Sequence, residues 1–290
     1  MTDDRLLVAV SRDGRLRARV ASTTHLVREA LRRHDPAALG AEALARALSV
    51  TATFPATWKD CDRVSLQWSG AGPLRTIFTE IRAGGGMRGY VKEPGAGTRR
   101  DREGYRGIGH GLLPNGFVAV MRQDVRGRFA QGQIELDTGE IDEDLERFFE
   151  KSDQVPTRVR AVWAPGADGP TACAAVLVQA LPDDMPAMLP DADALLALDP
   201  AAPMETMLAA ALGDGFDVLD EVILTFACPC ERSRLEDGIA LLETDELLDM
   251  INEDQGASVR CDFCAEDYAF SREDIEAIMV RKVTGEGHQE

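Results

Sequence analysis

The spacing of apolar positions changes several times along the first 180 residues, and each change marks an element. Leu16, Ala18 and Val20 alternate with Arg15, Arg17 and Arg19, the period of two expected of a half-buried strand. From His25 to Arg33 the spacing becomes helical, with Leu26, Ala30 and Leu31 on one face and Arg28, Arg32 and Arg33 on the other. Pro36 to Ser49, rich in alanine and leucine, suits a second helix. Val64, Leu66 and Trp68 alternate with Ser65, Gln67 and Ser69, and Gly70-Ala71-Gly72-Pro73 turns this strand back toward another over Thr76 to Arg82. Further strands are expected at Met87 to Val91, Phe117 to Gln123, Arg158 to Trp163 and Thr171 to Ala180. Between them Ile141 to Lys151 reads as a helix whose first turn carries Asp142, Glu143 and Asp144, where the helix dipole favours anions. Strands and helices mix without a regular βαβ rhythm, so the fold class is α+β.

The pattern breaks at residue 181. Residues 181–227 hold 28 apolar residues among 47, with prolines at 182, 186, 190, 200 and 203 and methionines at 185, 188, 204 and 207. The prolines forbid long helices and leave short ones at Asp191 to Leu198 and Met204 to Leu212. Such a stretch reads as a helical linker packed on the domain before it. Its methionine-rich face would become available to partners when released. The expected organisation is a mixed α+β core domain over 1–180, an apolar linker over 181–227 and a small domain over 228–290.

The small domain carries the chemistry. Cys228-Pro229-Cys230 and Cys261-Asp262-Phe263-Cys264 are separated by 30 residues, and two such thiol pairs supply the four soft ligands of a tetrahedral zinc site, one ion per chain. Sulfur at all four positions leaves none open for water, which excludes a hydrolytic zinc. Helices at Arg232 to Ala240 and Thr244 to Asn252 would close the loop between the pairs, and a last helix would run from Ser271, Glu273 and Asp274 to about Val280. With 63 residues and little room for a core, this domain needs the metal to stay folded. Coordination keeps the sulfurs as thiolates, which peroxide or hypochlorous acid oxidises; neighbouring pairs can then close as disulfides that no longer hold zinc. Cys61, among Lys59, Asp60, Asp62 and Arg63, reads as an exposed thiol, and Cys173, in an apolar run, as a small core residue. Gly107-Ile108-Gly109-His110-Gly111 has the glycines of a phosphate-cradling loop but lacks the following Lys and Ser/Thr, so it reads as a flexible connection with His110 solvated on it.

Charge narrows the partners. The chain of 290 residues has a formal net charge of −18, split as +3 over residues 1–180, −10 over 181–227 and −11 over 228–290. The acidic half repels phosphate backbones, which argues against nucleic acid, and a mildly basic body can help dock an acidic linker. The longest uncharged stretch, Gly107 to Met121, is about 15 residues and is broken by Pro114, too short to span a bilayer. The N-terminus has acids where a signal peptide has cations, so the expected location is a reducing cytoplasm, where clustered cysteines bind metal.

The CxC and CxxC pairs in a C-terminal domain resemble the heat shock protein 33 family, the redox-regulated zinc chaperones of bacteria. Three further segments are similar: Met87-Arg88-Gly89-Tyr90-Val91; Gln131-Gly132-Gln133 through Gly139-Glu140-Ile141 into Asp144-Leu145; and Ser152-Asp153-Gln154-Val155-Pro156-Thr157. The resemblance implies an ATP-independent holdase, not an enzyme, inactive when reduced and zinc-bound. It implies that oxidation joins Cys228 to Cys230 and Cys261 to Cys264, releases zinc and unfolds the zinc domain and linker. The core domain would then bind unfolded or aggregation-prone client proteins, as a homodimer. Two other classes compete: a zinc-ribbon module docking on nucleic acid or a translation factor, which expects a basic face, and a thiol oxidoreductase using Cys228 and Cys230 as a catalytic pair. Cys61 and Cys173 match no family motif.

Overall fold

The computed structural model describes residues 4–54, 60–96, 107–182, 188–213 and 215–284; Met185 and Pro186 lie outside them. The chain divides into two compact units, Met1–Ala227 and Cys228–Glu290. The first runs β1 (Arg5–Ser11), β2 (Leu16–Ser22), α1 (Thr24–His34), α2 (Ala38–Thr51), β3 (Cys61–Gly70), β4 (Thr76–Arg82), β5 (Gly86–Val91), a short α3 (Gly109–Leu112), β6 (Gly116–Asp124) and β7 (Phe129–Glu135). It continues through α4 (Ile141–Phe148), one π-helical turn (Phe149–Asp153), β8 (Thr157–Ala164), β9 (Ala172–Ala180), α5 (Ala192–Leu196), α6 (Met204–Leu212), β10 (Phe216–Ile223) and β11 (Thr225–Phe226). The mixed α+β class is as the residue pattern predicts.

Two sheets, ordered β10-β1-β2-β9-β8 and β11-β5-β4-β3-β6-β7, are antiparallel throughout except where β11 runs parallel to β5. Their inner faces share one core with α1, α2 and α4, in which Leu6, Val8 and Leu177 of the first sheet join Leu66, Trp68, Ile77 and Val120 of the second. Helix α2 is buried over eleven of its fourteen residues, and its alanines let neighbouring backbones come close. The outer face of the first sheet is also covered: Leu7, Ala18, Val20 and Val176 meet Leu195 of α5 and Met204, Met207, Leu208 and Ala211 of α6. Burial on both faces explains why β9 reads as an unbroken apolar run rather than an alternation.

Four strands of this unit are not evident in the residue pattern. β1 is a nearly continuous apolar run, again buried on both faces. β7 has five exposed residues, Phe129, Ala130, Gln131, Gln133 and Glu135, and is an edge strand that the backbone of β6 recruits. The linker is not helical throughout, because after α6 it forms β10, paired antiparallel with β1, and β11, paired with β5. Asp217, Asp220 and Glu221 give β10 the polarity of a loop, but they lie on a solvated edge, where charges are tolerated and discourage further strand pairing. At the turn into β5, Gly85 has φ +79°, and a Cβ there would come within 2.0 Å of the carbonyl oxygen of Ile223, so only glycine lets the end of β10 pass. The segment is docked by apolar contact and by the β1–β10 pairing, and among the described residues Arg5 pairs with Glu221 at 3.0 Å.

The core also holds charge. Arg46 on α2 donates to Glu140 Oε2 and Asp142 Oδ1, each at 2.7 Å, and Glu42 lies 3.7 Å away. Glu140 accepts a second bond from the Gly109 amide at 2.8 Å, and Asp142 from the Ala161 amide at 3.3 Å. Burial pushes the Glu140 carboxyl above its ordinary value despite the guanidinium beside it. Burial likewise raises Asp144 to about 6, although the amides of Asp137, Thr138 and Gly139 all donate to it. Removing one partner of such a buried pair typically costs about 3–5 kcal/mol, because the other charges stay behind unpaired. Arg46→Met is expected to lower the unfolding free energy by that amount, read as a lower urea midpoint at an unchanged m-value. The stranded carboxylates would have raised pKa values, so protonation relieves them, and the loss should shrink as the pH falls from 7 to 5. A pH-independent loss would contradict this account.

Candidate metal centre

The second unit begins at the first cysteine pair. Helices α7 (Arg232–Ala240), α8 (Thr244–Asn252) and α9 (Arg272–Thr284) and the hairpin of β12 (Gly256–Arg260) and β13 (Asp267–Ser271) surround a core of six buried residues: Ile239, Leu247, Ile251, Phe270, Ile275 and Ile278. The helix starts are set locally. Glu243 and Glu246 form a capping box on α8, and Ser271 and Asp274 exchange side chain-to-amide bonds of 3.2 and 2.8 Å at the start of α9. The α7 and α8 boundaries coincide with those expected from sequence, whereas the hairpin was not expected. Its strands are short, and its connection is the CxxC motif itself.

That connection is a tight turn. The Cys261 amide donates to the Glu266 carbonyl at 2.9 Å, the Ala265 amide donates to the Cys261 carbonyl at 2.8 Å, and Ala265 takes φ +55°. The turn points Cys261 and Cys264 toward Cys228 and Cys230, which precede α7. All four Sγ atoms lie within 4.8 Å of one another, with Cys228 to Cys261 at 3.9 Å and Cys230 to Cys264 at 3.1 Å. Four thiolates about 2.3 Å from one ion in a regular tetrahedron would stand about 3.8 Å apart, so the cluster has the size and donor set for a single tetrahedral ion. A tetrahedral all-sulfur set suits zinc or iron.

The electrostatics lead to the same conclusion. Burial works against charge on Cys230, but hydrogen bonds from Tyr268 and the neighbouring thiols outweigh it and hold that thiol below its ordinary value. Burial and the neighbouring Cys230 push Cys264 up. The opposite directions of these two thiols reflect that like charges this close oppose each other. Only a cation among them lets all four become thiolates.

Two residues that sequence reasoning passed over complete the surroundings. The hydroxyl of Tyr268 on β13 lies 3.3 Å from Cys230 Sγ and 3.4 Å from the Cys230 carbonyl oxygen. Arg232, two residues beyond Cys230, sits 4.2 Å over the Phe270 ring and donates to the Ala269 carbonyl at 2.6 Å and to Asp274 at 2.8 Å. Neither has a signature of its own. The one available signal was proximity in sequence, since Tyr268 follows Cys264 by four residues.

The remaining sequence candidates fall elsewhere. Cys61 is half-buried rather than exposed, because it sits on β3 with its thiol 3.4 Å from the Arg63 carbonyl and 3.6 Å from that of Gln123. Cys173 is a core residue, its thiol pushed up to about 12 by burial. The four-sulfur cluster includes neither of them. The stretch from Gly107 to Gly111 is a packed turn rather than a flexible connection, with Ile108 buried, His110 half-buried and the Gly109 amide already bonded to Glu140. A carboxylate thus occupies the donor a phosphate would need. Among the described residues no helix is long and apolar enough to cross a membrane.

A family model described as Hsp33 protein matches residues 4–271. A "33 kDa chaperonin" of Geobacter sulfurreducens is 34% identical over 287 residues, covering 95% of this chain and 94% of that protein. Another of the same name, from Symbiobacterium thermophilum, is 35% identical over 94% of this chain and 96% of its own length. The fold is that of the crystal structure of a 33 kDa chaperonin (heat shock protein 33 homolog) from Thermotoga maritima, with a TM-score of 0.85 over 98% of this chain and all of that one, at 23% identity.

A structural ion of this kind contributes about 10–16 kcal/mol, as much as the whole stability of an ordinary domain. Stripping the metal with a chelator under reducing conditions should therefore abolish the helical circular dichroism of α7, α8 and α9 and leave that of α1, α2 and α4 in place. An unchanged spectrum would mean that the six-residue core suffices.

Proposed function

The chain belongs to the Hsp33 family, and from that premise we propose that it is a redox-regulated, ATP-independent holdase, held inactive by zinc and released by oxidation. The observation that carries the proposal is the gathering of all four cysteines of the CxC and CxxC motifs in one cluster, in a unit with little else to hold it together. Cys228, Cys230, Cys261 and Cys264 would hold one zinc ion, which supplies the positive charge that lets four thiolates coexist. Zinc is preferred to iron because the site has to release its ion on thiol oxidation without redox chemistry of the ion's own.

The residues do the rest. Cys228 and Cys230 close one disulfide and Cys261 and Cys264 another. Each bond passes two electrons to the oxidant, and each hydrogen peroxide consumed takes up two protons and leaves as two waters. A sulfur locked in a disulfide no longer offers a thiolate, so the tie between the start of α7 and the β12–β13 turn is lost and the unit unfolds. Unfolding spreads to the preceding segment, which starts at residue 181 and ends in β10 and β11. As α6 leaves the first sheet, Leu7, Ala18, Val20 and Val176 are exposed, together with Met204, Met207 and Leu208 on the helix itself. A large apolar surface of this kind binds unfolded or aggregation-prone proteins without a fixed sequence, and its methionines adapt to varied side chains.

On this reading the core domain is 1–180, the linker 181–227 and the redox switch 228–290. The active form is a homodimer in the cytoplasm, and its partners are client proteins rather than nucleic acid or membrane. The acidic second unit favours this choice, since 17 acidic against 6 basic residues would repel phosphate. No turnover is involved, because the cysteines serve as ligands and as a switch.

Light scattering of a heat-unfolding client is the test. Reduced, zinc-loaded protein should leave aggregation unchanged, and protein treated with peroxide at raised temperature should suppress it near stoichiometric amounts. A chromophoric chelator should register one zinc per chain released as four thiols disappear. Equal suppression by both forms, or no zinc in the purified reduced chain, would overturn the proposal.

A further inference from the structure

Tyr268 is held by two independent features of the second unit. Its ring packs against the small apolar core, and its strand is clamped to the segment after Cys230 by Arg232, which bonds the Ala269 carbonyl and covers the Phe270 ring. The hydroxyl therefore has a fixed address, 3.3 Å from Cys230 Sγ and 3.4 Å from the Cys230 carbonyl oxygen. A phenol carries one proton and here faces two acceptors on the same residue. When Cys230 is a thiol, its S–H can donate to the phenol oxygen while the phenol proton serves the carbonyl. When Cys230 is a thiolate it can only accept, so the phenol proton turns to sulfur.

We propose that Tyr268 is a positioning residue of the metal centre, whose hydroxyl donates a hydrogen bond to the Cys230 thiolate, fixes that sulfur toward the ion and draws off part of its electron density. The proposal rests on the reading of the four cysteines as metal ligands. Tyr268 touches no metal and acts through Cys230 alone. Hydrogen bonds from such outer partners orient ligands, and losing one typically weakens metal retention by about 10–100-fold. The pre-set address adds to this, because a ligand already in place loses less freedom when the ion arrives.

The test uses the full chain, reduced and reloaded with cobalt(II), whose thiolate charge-transfer bands report the electron density on sulfur. Tyr268→Phe keeps the ring and removes only the hydroxyl. It should lose the ion to a chromophoric chelator at least tenfold more readily than the unaltered chain and move the charge-transfer band to lower energy. Tyrosine occurs at positions 90, 105 and 268 only. In a Tyr90→Phe, Tyr105→Phe background, 3-fluorotyrosine can therefore be placed at 268 alone, where its stronger donor should move the band to higher energy. Chelator competition within twofold of the unaltered chain, with superimposable bands, would overturn the proposal. If Tyr268→Phe does not fold, the fluorotyrosine chain decides, and a band unmoved or moved to lower energy counts against it. If the unaltered chain itself shows no tetrahedral cobalt–thiolate spectrum, the failure lies with the metal centre and not with Tyr268.

Discussion

Four sulfurs within 4.8 Å of one another cannot all carry charge without a cation between them. Two unit charges about 4 Å apart repel by about 4 kcal/mol at the effective dielectric of a protein surface, and the cluster contains six such pairs. The lowering of Cys230 and the raising of Cys264 are how the sulfurs resolve this conflict when nothing else does. Metal binding, thiolate charge and the fold of the second unit are therefore one equilibrium seen from three sides. What removes the thiolates removes the ion, and what removes the ion returns the repulsion.

The two units differ in what else they have. The first has a core joining both sheets and three helices, with a second apolar cluster on the outer face of the first sheet. The second has a hydrophobic core of six buried residues and a formal charge of −11. A perturbation confined to sulfur chemistry thus falls on the unit least able to absorb it. The segment between residues 181 and 227 occupies the intermediate position. Helix α6 buries Met204, Met207 and Leu208, but β10 is an edge strand with Val218, Leu219 and Ile223 about half exposed, and β11 pairs over two residues only. Local stability follows buried contact, so this segment belongs to the low end of the first unit's range.

Legibility in the sequence followed the kind of constraint. Strands with one solvated face, such as β3 and β4, announce themselves through alternation, and α7 and α8 are expected as the helices that close the loop between the two cysteine pairs. β1, β7 and β10 do not, because their place is fixed by a neighbouring backbone, which leaves no trace in side-chain period. The linker was legible as apolar, acidic and proline-broken, yet three of its acids, Asp217, Asp220 and Glu221, lie on the exposed edge strand β10. The four cysteines were legible at once, because a sulfur ligand set needs particular residue types at short spacing. Their surroundings were not: Tyr268 and Arg232 are ordinary surface residue types, and only the fold brings them to Cys230 and Phe270. Cys61 misled because charged neighbours in sequence suggest exposure, whereas the β3–β6 pairing covers its thiol.

The buried ions of the first unit give the metal centre a useful contrast. Around Arg46, three carboxylates lie 2.7 to 3.7 Å from one guanidinium, and the same electrostatic problem is met with a cation fixed to the chain. That cation cannot leave, and neither guanidinium nor carboxylate changes its electron count under oxidants that attack sulfur. The second unit meets the problem with ligands that can lose electrons and, on the proposed reading, a cation that can depart. On that reading the two charge clusters behave in opposite ways. One is a permanent clamp between α2 and the start of α4. The other is a clamp whose counter-charge depends on redox state, which is the property a reversible switch requires.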